Sequence, residues 1–123
     1  MDLELAGDSK RRILIVDDDL SLLQALERAL AETDGYDIVA SDSFEDARRT
    51  LRSRKFDVLI TDVRLGPFNG LQLAILARDL HPDIRLIVIS GFDDTVLKSD
   101  ARRLGAVFLV KPVTTADLLT LIG

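Results

Sequence analysis

Five short apolar runs recur along the chain, and between them the apolar residues return every three or four positions. Each run is nearly continuous and rich in β-branched residues, which is typical of strands whose two faces are both buried. The segments with the longer period predict amphipathic helices. The predicted strands cover residues 13–16, 36–40, 58–61, 86–89 and 107–110.

A helix is predicted after each strand. The first helix is predicted to end near Asp34 and Gly35, because glycine favours the position that follows a helix. Ser43 is predicted to cap the second helix, and a short fifth helix is predicted over residues 115–122. The residues expected to face the core are Leu22, Leu23, Leu26 and Leu30 in the first helix, Phe44, Ala47 and Leu51 in the second, Leu71, Ile75 and Leu76 in the third, and Val96, Leu97, Ala101 and Leu104 in the fourth.

Five strand–helix units in succession predict an α/β fold, a doubly wound parallel sheet with helices on both faces. At 123 residues the chain has the size of one domain. Its first residues are charged and contain no apolar signal-peptide region. We expect a flexible tail at residues 1–9 and a single domain over residues 10–123.

The composition narrows the class of function. A formal net charge of −5 disfavours nucleic acid as a direct partner of this domain. The basic stretch RRTLRSRK at residues 48–55 is interpreted as a solvated helix face, because no aromatic residues alternate with its charges. The chain has no cysteine, which removes disulfides and zinc thiolates. No apolar run approaches the roughly 20 residues that span a bilayer, so we expect a cytoplasmic domain without a membrane partner.

Polar and charged residues stand directly after four of the five predicted strands. Asp17 and Asp18 follow the first strand, and Asp62 follows the third. Ser90 follows the fourth strand and Lys111 the fifth. Because open α/β sheets bind ligands outside the carboxyl ends of their strands, these side chains are expected to converge on one edge of the sheet.

Three carboxylates at one sheet edge favour a small, hard cation. Mg²⁺ prefers oxygen ligands and is commonly bound by one or two carboxylates together with phosphate oxygens. Lys111 would hold the oxygens of a phosphoryl group as a point charge, and Ser90 would donate a hydrogen bond to another oxygen. Asp62 is predicted to be the nucleophile, because aspartate can carry phosphate as an acyl phosphate. Asp19 is interpreted instead as a cap of the first helix.

Four stretches of the sequence, ILIVDDD, LITDVRLGPFNG, VISG and FLVKP, resemble the receiver domain of bacterial response regulators. The resemblance covers residues 10–122 and implies a flavodoxin-like (βα)5 fold with the strand order 2-1-3-4-5. It implies that Asp62 is the phosphorylation site and that Asp18 binds Mg²⁺ directly. Asp17 would bind the metal through water or as a second ligand. The backbone carbonyl of Arg64 would complete the metal shell.

The same resemblance implies a signalling switch. Ser90 and Lys111 would contact the phosphoryl group, and the Lys111–Pro112 peptide would be cis. Ser90 would move towards the phosphate and Phe108 would rotate inward, which changes the surface of the fourth helix, fifth strand and fifth helix. The implied partners are a sensor histidine kinase or a histidine phosphotransfer protein, and a possible second copy bound through that surface. Such a domain is not an enzyme in the ordinary sense, since it catalyses only its own phosphorylation and dephosphorylation.

One residue departs from the family pattern, and two others bear on how fast the phosphoaspartate is hydrolysed. Gly66 stands where the family often has proline, and Pro67 follows it. Arg64 and Phe92 each follow a site residue by two positions, where side chains overhang the phosphoryl group. A bulky Phe92 is expected to slow the attack of water on the phosphoaspartate.

Three other classes of function are disfavoured. A phosphohydrolase of the haloacid-dehalogenase type also forms an aspartyl phosphate, but it needs a second aspartate two residues after the nucleophile, where this chain has Arg64. A nucleotide-binding module is disfavoured because the glycines form neither a G-x-G-x-x-G nor a P-loop pattern. A degenerate receiver that serves only as a protein-binding scaffold is disfavoured because the whole site is intact.

Overall fold

The protein is described by a computed structural model over residues 10–122. The predicted tail at residues 1–9, and Gly123, lie outside the described residues. The main sheet contains the strands Arg11–Val16 (β1), Tyr36–Ser41 (β2), Val58–Asp62 (β3), Arg85–Ser90 (β4) and Val107–Val110 (β5). The helices are Leu20–Ala31 (α1), Phe44–Ser53 (α2), Gly70–Leu80 (α3), Thr95–Arg103 (α4) and Thr115–Ile122 (α5).

The five strands form one parallel sheet in the order β2-β1-β3-β4-β5. This confirms the predicted doubly wound fold and its strand order. The chain reverses its winding direction between β1 and β3, and open α/β sheets place their ligand sites at such a point. The carboxyl ends of β1 and β3 are therefore the place to look for function.

Two separate hydrophobic clusters cover the two faces of the sheet. Successive side chains of a strand point to opposite faces, so Leu14 and Val16 pack towards α2, α3 and α4. Ile13 and Ile15 pack towards α1 and α5. All four are almost completely buried, as the continuous apolar character of β1 predicts.

Side-chain caps fix the starts of the first two helices. The Asp19 carboxylate accepts a hydrogen bond from the backbone N–H of Leu22 at 3.2 Å, which caps α1. The Ser43 hydroxyl accepts from the N–H of Asp46 at 3.2 Å and caps α2. Both caps were predicted from the sequence, and both place the helix start just beyond the end of a strand.

The structure corrects three helix predictions. The first helix already ends at Ala31, because the N–H of Glu32 closes the last turn on the carbonyls of Arg28 and Leu30. Ile75 is 50% exposed and Val96 is 67% exposed, so neither faces the core. For the third helix, periodicity selected Leu71 correctly but Ile75 wrongly. The buried residues of α3 are Gly70, Leu71, Leu73, Ala74 and Ala77.

One element was not predicted at all. Directly after β3, Arg64–Leu65 pairs antiparallel with Phe68–Asn69 to form a two-stranded ribbon, called the ribbon below. Its turn consists of Gly66, with a φ of +61°, and Pro67. Among residues 10–122, no helix is both long and apolar enough to cross a membrane.

Candidate functional site

The carboxyl ends of four strands meet at one edge of the sheet. Asp17 follows β1, Asp62 ends β3, Ser90 ends β4 and Lys111 follows β5. These side chains converge because the strands are parallel and paired in register, so that Asp62 lies beside Ile89 of β4. Asp17 and Lys111 are in contact although they lie 94 positions apart in the chain.

Lys111 joins two buried carboxylates. Its Nζ lies 2.9 Å from Asp62 Oδ2 and 3.5 Å from Asp17 Oδ2. Asp17 is 4% exposed and Asp62 is 7% exposed. The backbone N–H of Lys111 also donates to the carbonyl of Ser90 at 2.8 Å, which holds the end of β5 against β4. Because burial weakens screening by water, these charges interact more strongly than a pair on the surface.

The protonation of the site follows from burial and charge. Burial raises the pKa of Asp17 above its ordinary value of 3.8, and the charge of Asp62 raises it further, against the opposing effects of the Asp19 N–H and Lys111. Burial alone would lower the pKa of Lys111, but the hydrogen bond to Asp62 and the charges of both aspartates outweigh it. The pKa of Lys111 is therefore raised above 10.5, and the amine is protonated at neutral pH.

Three carboxylates form a group that fits a divalent metal ion. Asp17, Asp18 and Asp62 each present an oxygen, and these oxygens lie within 4.8 Å of one another. Carboxylate oxygens are the donors that Mg²⁺ and Ca²⁺ prefer. Oδ1 of Asp17 accepts the N–H of Asp19 at 2.9 Å, so its side chain is held in orientation. The donor set suits a hard divalent cation.

The rim of the site is built from exposed residues. The Arg64 N–H donates to Oδ1 of Asp62 at 3.3 Å, and the Arg64 guanidinium carbon lies 5.4 Å from the centroid of the Phe92 ring. The Phe92 N–H donates to the Ser90 hydroxyl oxygen at 3.1 Å. Arg64 and Phe92 thus form a cation–π contact and both line a cleft of about 680 Å³, and their overhang of a phosphoryl group stays a prediction. The cleft is lined among others by Asp18, Asp62, Arg64, Ser90, Phe92 and Lys111.

Phe108 lies apart from this cleft. It sits on β5 beside Val88 of β4 and packs, half-buried, against the cluster on the α2–α4 side of the sheet. Val88 is two residues before Ser90 on the same strand. The Lys111–Pro112 peptide is cis, as the resemblance implied.

Two glycines near the site make contacts that the sequence reasoning did not predict. The N–H of Gly66 donates to Oδ2 of Asp18 at 3.1 Å. The N–H of Gly70 donates to the carbonyl of Val63 at 2.6 Å, and a Cβ added at Gly70 would overlap the carbonyl oxygen of Asp62. The Gly66–Pro67 dipeptide is a turn signal that could have indicated the ribbon. Nothing in the local pattern indicates the close approach at Gly70.

The site agrees with a known family over nearly the whole chain. Residues 13–123 match the family described as the response regulator receiver domain. The chain is a response regulator receiver domain. The resemblance stated from the sequence is thereby confirmed, and the sequence stretches that carried it contain the strand-end residues of the site.

Curated relatives of this receiver domain include proteins of different length. It is 34% identical over 111 residues to the response regulator receiver protein CpdR of Brucella abortus, which covers 89% of this chain and 91% of CpdR. It is 32% identical over 117 residues to the alginate biosynthesis transcriptional regulatory protein AlgB of Pseudomonas putida. That match covers 94% of this chain but only 26% of AlgB, so the receiver domain spans about a quarter of the AlgB length.

Solved structures share the fold of this receiver domain. A response regulator protein from Burkholderia pseudomallei, with a phosphorylated aspartic acid, a calcium ion and citrate, is 27% identical with a TM-score of 0.85. The match covers 93% of this chain and 67% of that one. The beryllofluoride-activated NtrC4 receiver domain, a dimer in solution, is 28% identical with a TM-score of 0.81 and coverages of 90% and 92%.

Proposed function

We propose that this receiver domain takes a phosphoryl group onto Asp62 from a sensor histidine kinase or a histidine phosphotransfer protein, with Mg²⁺ as its metal ion. The observation that carries the proposal is the 2.9 Å contact between Lys111 Nζ and Asp62, beside Asp17 and Asp18. A carboxylate nucleophile thus lies between a fixed ammonium and a group of metal-binding oxygens. Phosphoryl transfer needs mainly such positioning and charge neutralisation.

The transfer step uses the oxygens of Asp62. One carboxylate oxygen attacks the phosphorus of the donor phosphohistidine, a phosphorus–oxygen bond forms, and the phosphorus–nitrogen bond breaks with its electron pair left on the imidazole. Lys111 remains protonated and neutralises the phosphoryl oxygens. The Ser90 hydroxyl accepts the Phe92 N–H and keeps its own hydrogen free to donate to the phosphoryl group.

A metal ion would add positive charge on the other side of the transferred group. Asp17, Asp18, Asp62 and the backbone carbonyl of Arg64 are the proposed ligands. The ion bound by these residues would supply positive charge that neutralises the phosphoryl oxygens. The calcium ion and phosphorylated aspartate of the Burkholderia pseudomallei protein support this assignment, because calcium and magnesium share a preference for oxygen ligands.

The output of phosphorylation is proposed to be a change in the surface formed by α4, β5 and α5, with Ser90 and Phe108 as the switch residues. Val96 and Val110 expose apolar side chains on this surface. The dimer of the related NtrC4 receiver supports a homodimer here, and this exposed surface is its proposed interface. Sedimentation velocity with and without phosphorylation checks this, and a monomer in both states would contradict the homodimer.

The proposed role is that of a phospho-acceptor regulator in the cytoplasm and not of an enzyme with a separate substrate. The domain would catalyse only its own phosphorylation and dephosphorylation. Arg64 occupies the position at which a haloacid-dehalogenase phosphohydrolase has its acid/base aspartate, which supports this distinction.

The decisive experiment is the intact mass of the protein after incubation with acetyl phosphate and Mg²⁺. We expect one added phosphoryl group on the wild type, none when Mg²⁺ is replaced by a chelator, and none on Asp62→Asn. Asp83→Asn, a change at an exposed aspartate between α3 and β4, is the matched control and should be phosphorylated like the wild type.

Two results would contradict the proposal. An adduct that persists on Asp62→Asn would mean that another residue is the acceptor. A wild type that is phosphorylated neither by acetyl phosphate nor by a phosphohistidine donor would favour a scaffold that has lost its chemistry.

A further inference from the structure

The turn of the ribbon contacts the proposed metal ligand Asp18 through one backbone group. The N–H of Gly66, the first residue of the turn, donates to Oδ2 of Asp18 at 3.1 Å. Gly66 has a φ of +61°, whereas proline is confined to a φ near −65°. The first position of the turn therefore favours glycine and excludes proline, as in a two-residue hairpin with positive φ at its first position. Glycine also keeps the N–H that a proline at this position would lack.

Asp18 depends on this hydrogen bond for its orientation. It is exposed, unlike Asp17 and Asp62. Within residues 10–122, the Gly66 N–H is the hydrogen-bond donor found for its carboxylate. The bond uses Oδ2, and the side chain still presents an oxygen within 4.8 Å of those of Asp17 and Asp62. An exposed aspartate is thereby held towards the metal-binding group.

The ribbon is anchored at two points outside the site. Leu65 is 2% exposed and belongs to the core cluster on the α2–α4 side of the sheet. The Phe68 ring stacks on Phe44 with 4.7 Å between centroids and 15° between planes. Phe44 is the first residue of α2, whose start is fixed by the Ser43 cap. Because Phe68 pairs with Leu65 across the turn, the stack holds Gly66 in place against a rigid helix.

We propose that the ribbon is a positioning device for the metal ligand Asp18, in which the Phe44–Phe68 stack fixes the turn and the Gly66 N–H fixes the carboxylate. Phe44, Gly66 and Phe68 are positioning residues, since none of them carries a side-chain oxygen that could bind the metal. The proposal rests on the proposed function only in taking Asp18 as a ligand of Mg²⁺. Residues that orient a metal ligand act on affinity because a freely rotating ligand must be ordered on binding.

The test is a calorimetric titration of the unphosphorylated protein with Mg²⁺, which reads affinity without any phosphoryl transfer. Phe44→Leu and Phe68→Leu remove the stack and keep an apolar side chain at each position. Loss of a direct partner of a ligand commonly costs 10- to 100-fold in affinity, so loss of this indirect support should raise the Kd for Mg²⁺ by about three- to tenfold. The double variant should be little worse than either single one, because both act through one contact.

Two further variants separate positioning from general stability. Phe68→Tyr keeps the ring and should bind Mg²⁺ like the wild type. Leu80→Ala removes an apolar side chain on α3 that is 41% exposed, close to the 42% of Phe68, but lies away from the ribbon. It should leave the Kd unchanged. Hydrogen exchange of the Gly66 amide, followed by NMR without metal, should be faster in Phe68→Leu and unchanged in Leu80→Ala.

The outcomes decide the proposal independently of the phosphorylation assay. A wild-type Kd in Phe68→Leu and Phe44→Leu would overturn it, even if both variants melted at a lower temperature. Equal losses of affinity in Phe68→Leu and Leu80→Ala would also overturn it, because the effect would then be a general one. A wild type that binds Mg²⁺ but never accepts phosphate would overturn the proposed function, while the comparison of affinities would still decide the role of the ribbon.

Discussion

The candidate site has an inner and an outer part that are built differently. The inner part is Asp17, Asp62 and Lys111, which lie on or directly after strands and contact one another. The outer part is Asp18, Arg64 and Phe92, which are exposed and belong to loops and the ribbon. In the inner part each charge is held by the sheet, whereas in the outer part position depends on a few local contacts.

This difference separates the residues proposed to react from those proposed to adjust metal affinity and hydrolysis rate. The sheet fixes the distance between the nucleophile and the ammonium because β1, β3, β4 and β5 are packed on both faces. If the proposed function holds, the outer residues would set how well a metal is oriented and how easily water enters. Changes to the inner part should therefore cost stability and chemistry together, and changes to the outer part should alter affinities or rates in a folded protein.

The largest effect is expected from Gly70→Ala. A methyl group there would overlap the carbonyl oxygen of Asp62, a backbone atom that cannot rotate away. We expect a loss of about 3 kcal/mol or more in the free energy of unfolding, since forced overpacking of a rigid neighbour is at the upper end of such effects. Urea denaturation measures it. Gly91→Ala is the matched control, because a Cβ there meets nothing within 4 Å. Equal stabilities for the two variants would contradict a rigid inner part.

A smaller effect is expected from Lys111→Met, which leaves Asp17 and Asp62 without their cation. Removing one partner of a buried pair can cost about 3–5 kcal/mol, and partial exposure of the lysine reduces this to roughly 1–3 kcal/mol. The pKa of Lys111 is raised, so its contribution is fully present below pH 10.5 and is lost as the pH rises through the raised value.

Urea denaturation of wild type and Lys111→Met across neutral and alkaline pH checks both the size and the sign. The two stabilities should differ at pH 7 and approach each other at strongly alkaline pH. Lys98→Met removes a lysine whose only ion pair among residues 10–122 is an exposed one to Asp93 at 3.7 Å, and it should cost little. A difference that grew with rising pH would contradict the assigned role of Lys111.

The smallest effect on stability is expected from Phe92→Ala, at the exposed rim. Phe92 is 65% exposed, so the free energy of unfolding should change by less than about 0.5 kcal/mol. Its loss opens the mouth of the cleft and removes the contact with Arg64, so the phosphoaspartate should hydrolyse roughly two- to tenfold faster. The half-life is measured by the decay of the phosphorylated mass, with Val96→Ala, 67% exposed, as the control. An unchanged half-life would show that the rim does not limit water.

The inner part could be predicted from the sequence because its residues stand at strand ends. Asp17, Asp62 and Lys111 each follow or end an apolar run, and parallel strands bring their carboxyl ends to one edge. The caps Asp19 and Ser43 were predictable for a related reason, since capping depends on residues three positions apart. These are consequences of local pattern combined with a general topological rule.

The residues of the outer part were also predicted, but the contacts that hold them could not be predicted in the same way. The Gly66–Asp18 hydrogen bond joins residues 48 positions apart, and the stack of Phe44 on Phe68 joins a helix start to a turn. Ile75 and Val96 were assigned to the core because their spacing fits a helix face, yet both are exposed. Such contacts depend on how helices, strands and turns pack against one another in the folded protein.

The sequence alone determined the strand and helix alternation, the parallel sheet and the convergence of the charged residues, because apolar periodicity specifies which faces are buried. Only the tertiary structure decided which helix faces are buried, how Asp18 is oriented and why position 70 is glycine. These features depend on how elements far apart in the chain pack together, where differences of a few tenths of an ångström in distance matter. No local pattern encodes such differences.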